Sequence, residues 1–421
     1  MTTTAAAKDP FIAFRFPEFR YFILATFLIT MAQLIQEVVL GYELYRITHD
    51  PLAIGMVGLV EAVPFIGLSL FGGHLADRIS KKKMILASIA GILLCSLFLH
   101  FYTTESMRAD LSPAALLAGI YSVIFLIGVF RAFFSPAAQS LRAFLIPRRA
   151  YENAATWSSS AWQTGAIAGP MVSGFLYALF GFSDTLLIVV GLVGATLLLM
   201  VMIEDKPVGT QPKHDSIFES LKEGIHFVFK TKIILYSISL DLFSVLFGGV
   251  VAILPIFAED ILHVGAEGLG ILRAAPSIGA VLTLFLLSRY SPMKHAWRNL
   301  LTVVAAFGIC ILVFALSHSM WLSLAALFFS GAFDSVSVVI RSTILQLMTP
   351  DELRGRVQAV NGMFLSSSNE LGAFESGFAA KLMGTIPSVI FGGTMTLFIV
   401  GWVVTRSKEL FSINFDTDKG K

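Results

Sequence analysis

Several ionisable side chains stand inside the longest apolar runs of this 421-residue chain, and their types and spacing suit charge and proton chemistry. Gln33, Gln36 and Glu37 interrupt a stretch of Leu, Ile, Val, Met and Ala. Glu61, Arg131 and Arg273 lie in three further runs, and Ser237, Asp241 and Ser244 share another. Ser330, Asp334, Ser337 and Arg341 recur at i, i+4, i+7 and i+11, which places them on one face of a helix. Asn361, Asn369, Glu370 and Glu375 mark one more stretch. A carboxylate in an apolar medium must be protonated, paired or hydrated, so one whose surroundings change can take up and release a proton. Glu37 and Glu61 are the first candidates for that exchange, with Asp334 and Glu370 behind them. The amides next to Glu37 can hydrogen-bond either protonation state. Gln33, Gln36, Arg131, Asp241, Arg273, Asn369 and Glu375 are candidates for lining a polar cavity. Two plainer readings stand beside these: structural ion pairs, and hydration of Glu37, Glu61 and Arg273 near a headgroup layer.

The elements that must hold these groups follow from composition. The chain is 56% hydrophobic and 14% charged, whereas a soluble domain carries about 25% charged residues. Crossing a bilayer takes roughly 20 apolar residues per helix. Stretches of that length are expected at 20–47, 52–77, 84–102, 113–141, 155–180, 184–203, 233–259, 265–289, 298–317, 320–347, 357–383 and 386–405. The fold class is therefore an all-α membrane protein of twelve transmembrane helices. Its expected domains are a six-helix bundle over 1–203, a linker over 204–232 and a second six-helix bundle over 233–421. In the linker, Ser216 with Glu219 fits a capping box, and Ile217, Phe218, Leu221, Ile225 and Phe229 fall on one face of an amphipathic helix. Lys and Arg concentrate in alternate loops, which places both termini in the cytoplasm, and the chain is expected in the cell inner membrane. No small-residue cleavage site follows the N-terminus, so the first helix is expected to remain.

The two halves repeat. A shift of about 203 superposes Phe130, Pro147, Gly169, Gly174 and Phe175 on Phe333, Pro350, Gly372, Gly377 and Phe378. A shift of about 212 superposes Gly58, Ala62, Pro64 and Gly67 on Gly270, Ala274, Pro276 and Gly279. These matches imply two pseudo-symmetric bundles in parallel orientation. The same shifts set Glu61 on Arg273 and Arg131 on Asp334, opposite charges at equivalent positions.

Other chemistries find little support. The histidines fall near helix ends or in loops, no Cys/His cluster has metal spacing, and no Gly-rich phosphate loop with Lys is present. Neither a metal, a cofactor nor an enzymatic reaction is expected. Cys95 and Cys310 sit in apolar helices and read as inert thiols. A net charge of +2 points to no nucleic-acid partner. The expected partners are the lipid bilayer, a small-molecule substrate and protons, with the chain acting as a monomer.

The segment Gly73-His74-Leu75-Ala76-Asp77-Arg78-Ile79-Ser80-Lys81-Lys82 resembles the cytoplasmic loop signature of the major facilitator superfamily, with Ser80 where that pattern usually has Gly. The resemblance implies a cytoplasmic gate of Gly73, Asp77 and Arg78 working with Arg354 and Arg356. Gly165, Gly169, Pro170 and Gly174 look like the glycine-proline signature of drug:proton antiporters. Small residues four apart would form a face that packs closely on the opposite bundle, and Pro170 would permit a kink. Leu254-Pro255-Ile256-Phe257-Ala258-Glu259-Asp260, with Thr349-Pro350-Asp351-Glu352-Leu353-Arg354-Gly355-Arg356, is similar to the enterobactin-exporter and macrolide-exporter branch. The function implied is proton-coupled export of a small amphipathic molecule, drug or siderophore-like, by alternating access. An importer, a carrier of a lipid-like substrate and a non-transporting receptor are the alternatives.

Overall fold

Caps written into the sequence start several of the helices. In this computed structural model, which describes residues 10–206, 217–287, 289–350 and 353–413, the helices in chain order are α1 Pro17–Thr48, α2 Pro51–Arg78, α3 Lys81–Tyr102, α4 Glu105–Asp110, α5 Pro113–Arg142, α6 Tyr151–Val201, α7 Ile217–Lys230, α8 Lys232–Gly248, α9 Leu254–Ile256, α10 Gly265–Leu287, α11 Ala296–Ala315, α12 Met320–Met348, α13 Arg354–Met383 and α14 Thr385–Arg406. Ser80 Oγ accepts the Lys83 N–H at the head of α3. Ser112 Oγ accepts the Ala115 N–H at the head of α5, where Pro113 supplies the preset φ of a first helical residue. No strand occurs among the described residues. Ten segments of the described residues are long and apolar enough to span a bilayer, so the chain is a multi-pass integral membrane protein.

Two elements depart from simple spans. α6 has 51 residues, about 76 Å at 1.5 Å per residue. It leaves helical space at Gly181, with φ +75° and ψ −175°, where the sequence reading places a break between two spans. The second departure corrects the expectation of one continuous helix over 233–259. α8 stops at Gly248, and a 3-10 turn at Val250–Ile253, the short α9 and a π-helical turn at Phe257–Ile261 follow. Pro255 has no N–H to continue the ladder. The Ser376 hydroxyl donates to the Gly249 carbonyl at 3.1 Å, satisfying an acceptor beside the break.

Packing sorts the chain into two units, one of Met1–Val39 with Val63–Gln211 and one of Leu40–Ala62 with Pro212–Lys421. In the first unit α3 packs on α5 and α6, burying Ile85, Ile89, Ile92 and Leu99. In the second, α12 packs on α10 and α11, and α8 on α13 and α14. Trp297 anchors the core of this unit among Ile234, Ile340, Ile344 and Val403, and its indole N–H donates to Ser407 Oγ at 3.0 Å. Leu40–Ala62 clusters here through specific contacts. Tyr42 donates to Glu259 at 2.5 Å, Tyr45 donates to Asp260, and Lys381 Nζ donates to Asp50 at 2.6 Å. A Cβ at Gly55 would come within 3.1 Å of Gly377 Cα, the close backbone approach that small residues allow.

Candidate functional site

Helical periodicity builds a cavity in the first unit. α1 presents Phe22, Thr26, Ile29, Thr30 and Gln33, spaced i, i+4, i+7, i+8 and i+11. α5 presents Arg131, Phe134, Ser135, Ala138, Gln139 and Arg142 on one stripe, and α6 adds Ala155, Ser158, Ser159 and Trp162. With Phe65 of α2 these enclose about 490 Å³, a usual size for a small-molecule site. The Arg131 guanidinium carbon lies 5.7 Å from the centroid of the Phe65 ring, in cation–π range. Thr26 and Thr30 spend their hydroxyl protons on carbonyls one turn back, Phe22 and Thr26, each at 2.8 Å. Gln33 Nε2 and Ser158 Oγ are buried and have no hydrogen-bond partner.

The second unit holds a charge cluster. The i, i+7 spacing sets Asp334 and Arg341 along one face of α12, and packing of α12 on α8 brings Asp241 to Arg341. Arg341 forms an ion pair with Asp241, both side chains about nine-tenths buried. Its other terminal nitrogen lies 3.8 Å from Asp334 Oδ1, whose side chain is 49% exposed. Arg341 Nε also donates to Ser337 Oγ at 3.1 Å. One guanidinium thus faces two carboxylates, so the three groups carry one negative charge in excess when both acids are ionised. A net charge of that kind needs water, whereas protonation of one acid leaves a neutral cluster that tolerates an apolar setting.

The remaining candidates are scattered. Glu37 is exposed on α1, while its neighbour Gln36 is buried and accepts the Ser96 hydroxyl at 2.8 Å. Gln33 joins the cavity lining and Glu37 does not. Glu61 and Glu370 are partly buried, and the Glu370 carbonyl lies against Gly58. Arg273 is buried. Asn369 is exposed and donates to the Leu365 carbonyl at 3.1 Å. Glu375 borders a pinhole of about 10 Å³ with Gly248, Ile253, Ser376 and Ser388. Among the described residues no cluster of His, Cys, Asp and Glu could hold a metal.

Gly165 and Gly169 pack on α1 of their own unit, where a Cβ would come within 3.0 Å of the Phe27 carbonyl oxygen and 3.1 Å of the Met31 one. This corrects the expected partner of the glycine face, because the close approach they permit is to a neighbouring helix of the same unit. Pro170 and Gly174 are buried in the same helix. Gly73 has open space around it, and Arg78 and Arg354 are exposed. Arg356 pairs with Glu223 of α7, and a Cβ at Gly224 would meet the Arg356 carbonyl at 2.9 Å. The side chain of Asp77, the capping residue Ser216, and Asp351 with Glu352 lie outside the described residues. Sequence reasoning missed Glu223, Thr26, Ser158, Trp162 and Arg142. The i, i+11 spacing of Arg131 and Arg142 was the signal for the last.

Comparison with known proteins agrees with this architecture. The model of the Major Facilitator Superfamily matches residues 22–373. An enterobactin exporter, EntS, of Escherichia coli O1:K1 is 26% identical over 399 residues, covering 91% of this chain and 90% of the relative. The EntS of Citrobacter koseri is also 26% identical, over 401 residues. Among solved structures, a mutant of the nucleoside transporter NupG superposes with a TM-score of 0.71 at 15% identity, covering 92% of this chain and 99% of that one. A bacterial homologue of the human lysosomal transporter Spinster gives 0.69 at 16% identity, covering 94% and 96%.

Proposed function

The chain belongs to the Major Facilitator Superfamily, and on that premise we propose that this transporter is a proton-coupled exporter of a small amphipathic molecule, drug or siderophore-like. It works by alternating access of two pseudo-symmetric six-helix bundles, twelve spans in all, over 1–203 and 233–421, joined by the linker 204–232. It resides in the inner membrane as a monomer with both termini in the cytoplasm. Similarity to enterobactin exporters over nine-tenths of both chains supports the export direction. A reporter fused at Gln211 should read cytoplasmic and one near His318 external.

The observation that carries proton coupling is Arg341 facing both Asp241 and Asp334. Asp241 is committed to the guanidinium, while Asp334 stands farther off and is half exposed. Asp334 is therefore the acid that exchanges its proton, and Asp241 with Arg341 is the fixed pair against which that exchange registers. Protonation cancels the excess negative charge and permits the cluster to close away from water; release restores the charge and requires hydration. Glu37, Glu61 and Glu370 stand behind Asp334 as proton sites. Gly73, Asp77, Arg78, Arg354 and Arg356 are proposed as a cytoplasmic gate.

The test is flux in proteoliposomes under an imposed pH gradient. Asp334→Asn keeps size and hydrogen bonding and fixes the neutral state, so it should abolish uphill export while sparing downhill exchange. Full gradient-driven export by that variant would remove Asp334 from coupling. Net accumulation in the opposite direction by the wild type would favour the importer reading.

A further inference from the structure

A small void in the second unit sits where a helix ends inside a span. α8 stops at Gly248, and a 3-10 turn follows at Val250–Ile253. A helix C-terminus carries partial negative charge on its last carbonyls, and inside a membrane such an end must meet a donor, a cation or water. Gly248 and Val250 border a void of about 10 Å³ together with Glu375 and Ser376 of α13 and Ser388 of α14, and the rest of the lining is Phe, Ile and Val. That lining holds no Lys, Arg or His. Ser376 Oγ donates to the Gly249 carbonyl at 3.1 Å, and Ser388 Oγ donates to the Thr385 carbonyl at 2.7 Å. With its one proton committed, each hydroxyl has only lone pairs left to offer. Among the described residues nothing donates a hydrogen bond or brings a positive charge to the Glu375 carboxylate, which is partly buried.

From this we infer that the void is a binding site for a sodium-sized monovalent cation, held by the Glu375 carboxylate, the hydroxyl oxygens of Ser376 and Ser388 and the carbonyl end of α8. A ligand set made of oxygens alone, with neither His nor Cys, suits a hard cation. One carboxylate balances one positive charge, whereas a divalent ion would leave an excess charge in an apolar setting. The void has about the volume of one water-sized sphere, so the ion enters without its hydration shell and the protein oxygens replace it. Potassium, being larger, fits less well. Interrupted helices of membrane carriers offer carbonyls to sodium in the same manner. Glu375 thereby gains the partner that a carboxylate in a span requires, and the ion ties α8, α13 and α14 at one point. None of Asp241, Asp334 and Arg341 lines this void, so the site goes beyond the proton-coupled reading and does not depend on it.

The test is ion-dependent stability of the purified full-length protein in detergent, with no gradient and no substrate, so its outcome is separate from that of the flux assays. Thermal unfolding would be followed as sodium chloride or potassium chloride replaces choline chloride at constant ionic strength. Sodium should raise the melting temperature saturably by about 3 °C or more, and potassium should do less than half as much. Glu375→Gln should abolish the sodium response while melting in choline at the wild-type temperature or above, because it removes an unpaired charge from a span. Ser388→Ala should raise the half-saturating sodium concentration fivefold or more. Identical melting in the three salts, a sodium response that survives in Glu375→Gln, or one that is lost in Asp334→Asn instead would overturn the inference. Should Glu375→Gln fail to elute as a single species, the wild-type ion ranking and Ser388→Ala decide alone.

Discussion

The cavity of the first unit and the charge cluster of the second occupy related places in the repeat and solve opposite problems. Arg131 and Asp334 correspond at the 203-residue shift, each on a long helix that packs inside its own unit. α5 places its arginine in the wall of a cavity, with the guanidinium over the Phe65 ring. α12 turns its aspartate toward an arginine that a second aspartate already holds. The two positions share a place in the repeated sequence pattern while their charges are opposite. One half sets its arginine beside an aromatic ring in a cavity wall, and the other sets its arginine between two carboxylates.

The largest effect should come from breaking the second unit's pair. Asp241→Leu leaves Arg341 buried beside a more distant acid, and losing one partner of a buried pair costs about 3–5 kcal/mol. Thermal unfolding in detergent should show that loss, and adding Arg341→Met should recover most of it without recovering proton-coupled flux. A change below about 1 kcal/mol would mean the pair does not fasten α8 to α12.

A smaller effect sharpens the contrast through two glycines that the repeat superposes. A Cβ at Gly279 would sit 2.0 Å from the Phe328 carbonyl oxygen, whereas one at Gly67 meets nothing within 4 Å. Gly279→Ala should therefore destabilise by about 1–3 kcal/mol, as overpacking does. Gly67→Ala should be neutral or slightly stabilising, since alanine is the better helix former by about 1 kcal/mol. Equal losses at both positions would show that the repeat fixes packing at this level after all.

The smallest effect concerns Asp50 and Lys381, 2.6 Å apart with side chains 34% and 47% exposed. Burial disfavours the Asp50 carboxylate, but Lys381 and the Leu52 N–H outweigh it and hold the carboxyl below its ordinary range. A depressed native value means that the stabilisation is present above the unfolded value near 4 and is lost as pH falls through the native one. Asp50→Asn should cost at most about 1 kcal/mol at neutral pH, as exposed pairs do. Melting curves of variant and wild type should converge below about pH 4, and a gap that widens with acid would reverse the sign assigned to this pair.

Several span ends were legible because local chemistry sets them. The expected 52–77, 113–141 and 320–347 stand beside Pro51–Arg78, Pro113–Arg142 and Met320–Met348, where prolines, a serine cap and terminal charges punctuate apolar runs. The break after Gly248 was not legible, since Val250 to Ile253 is as apolar as the helix before it. The polar stripe of α12 could be read from spacing, but its partner Asp241 could not, because only tertiary packing brings α8 and α12 together. Glu37 misled for a related reason. Apolar neighbours in sequence say how rare a charge is there, and not which way the helix turns it. Tyr42 and Tyr45 were passed over because tyrosine is unremarkable near a helix end, although the structure sets them on Glu259 and Asp260.

Gly181 shows a different kind of intolerance from that of Gly279. No atom lies within 4 Å of where its Cβ would be, yet its φ of +75° with ψ near 180° belongs to a region that side-chain-bearing residues all but avoid. In a saturation scan the two positions would look alike, each rejecting nearly every replacement. Trimming the neighbours could in principle reopen position 279 to larger residues, because its constraint is crowding. No repacking would reopen position 181, where the veto is written in the backbone torsion itself, and only an achiral or D-configured residue introduced by chemical synthesis would pass.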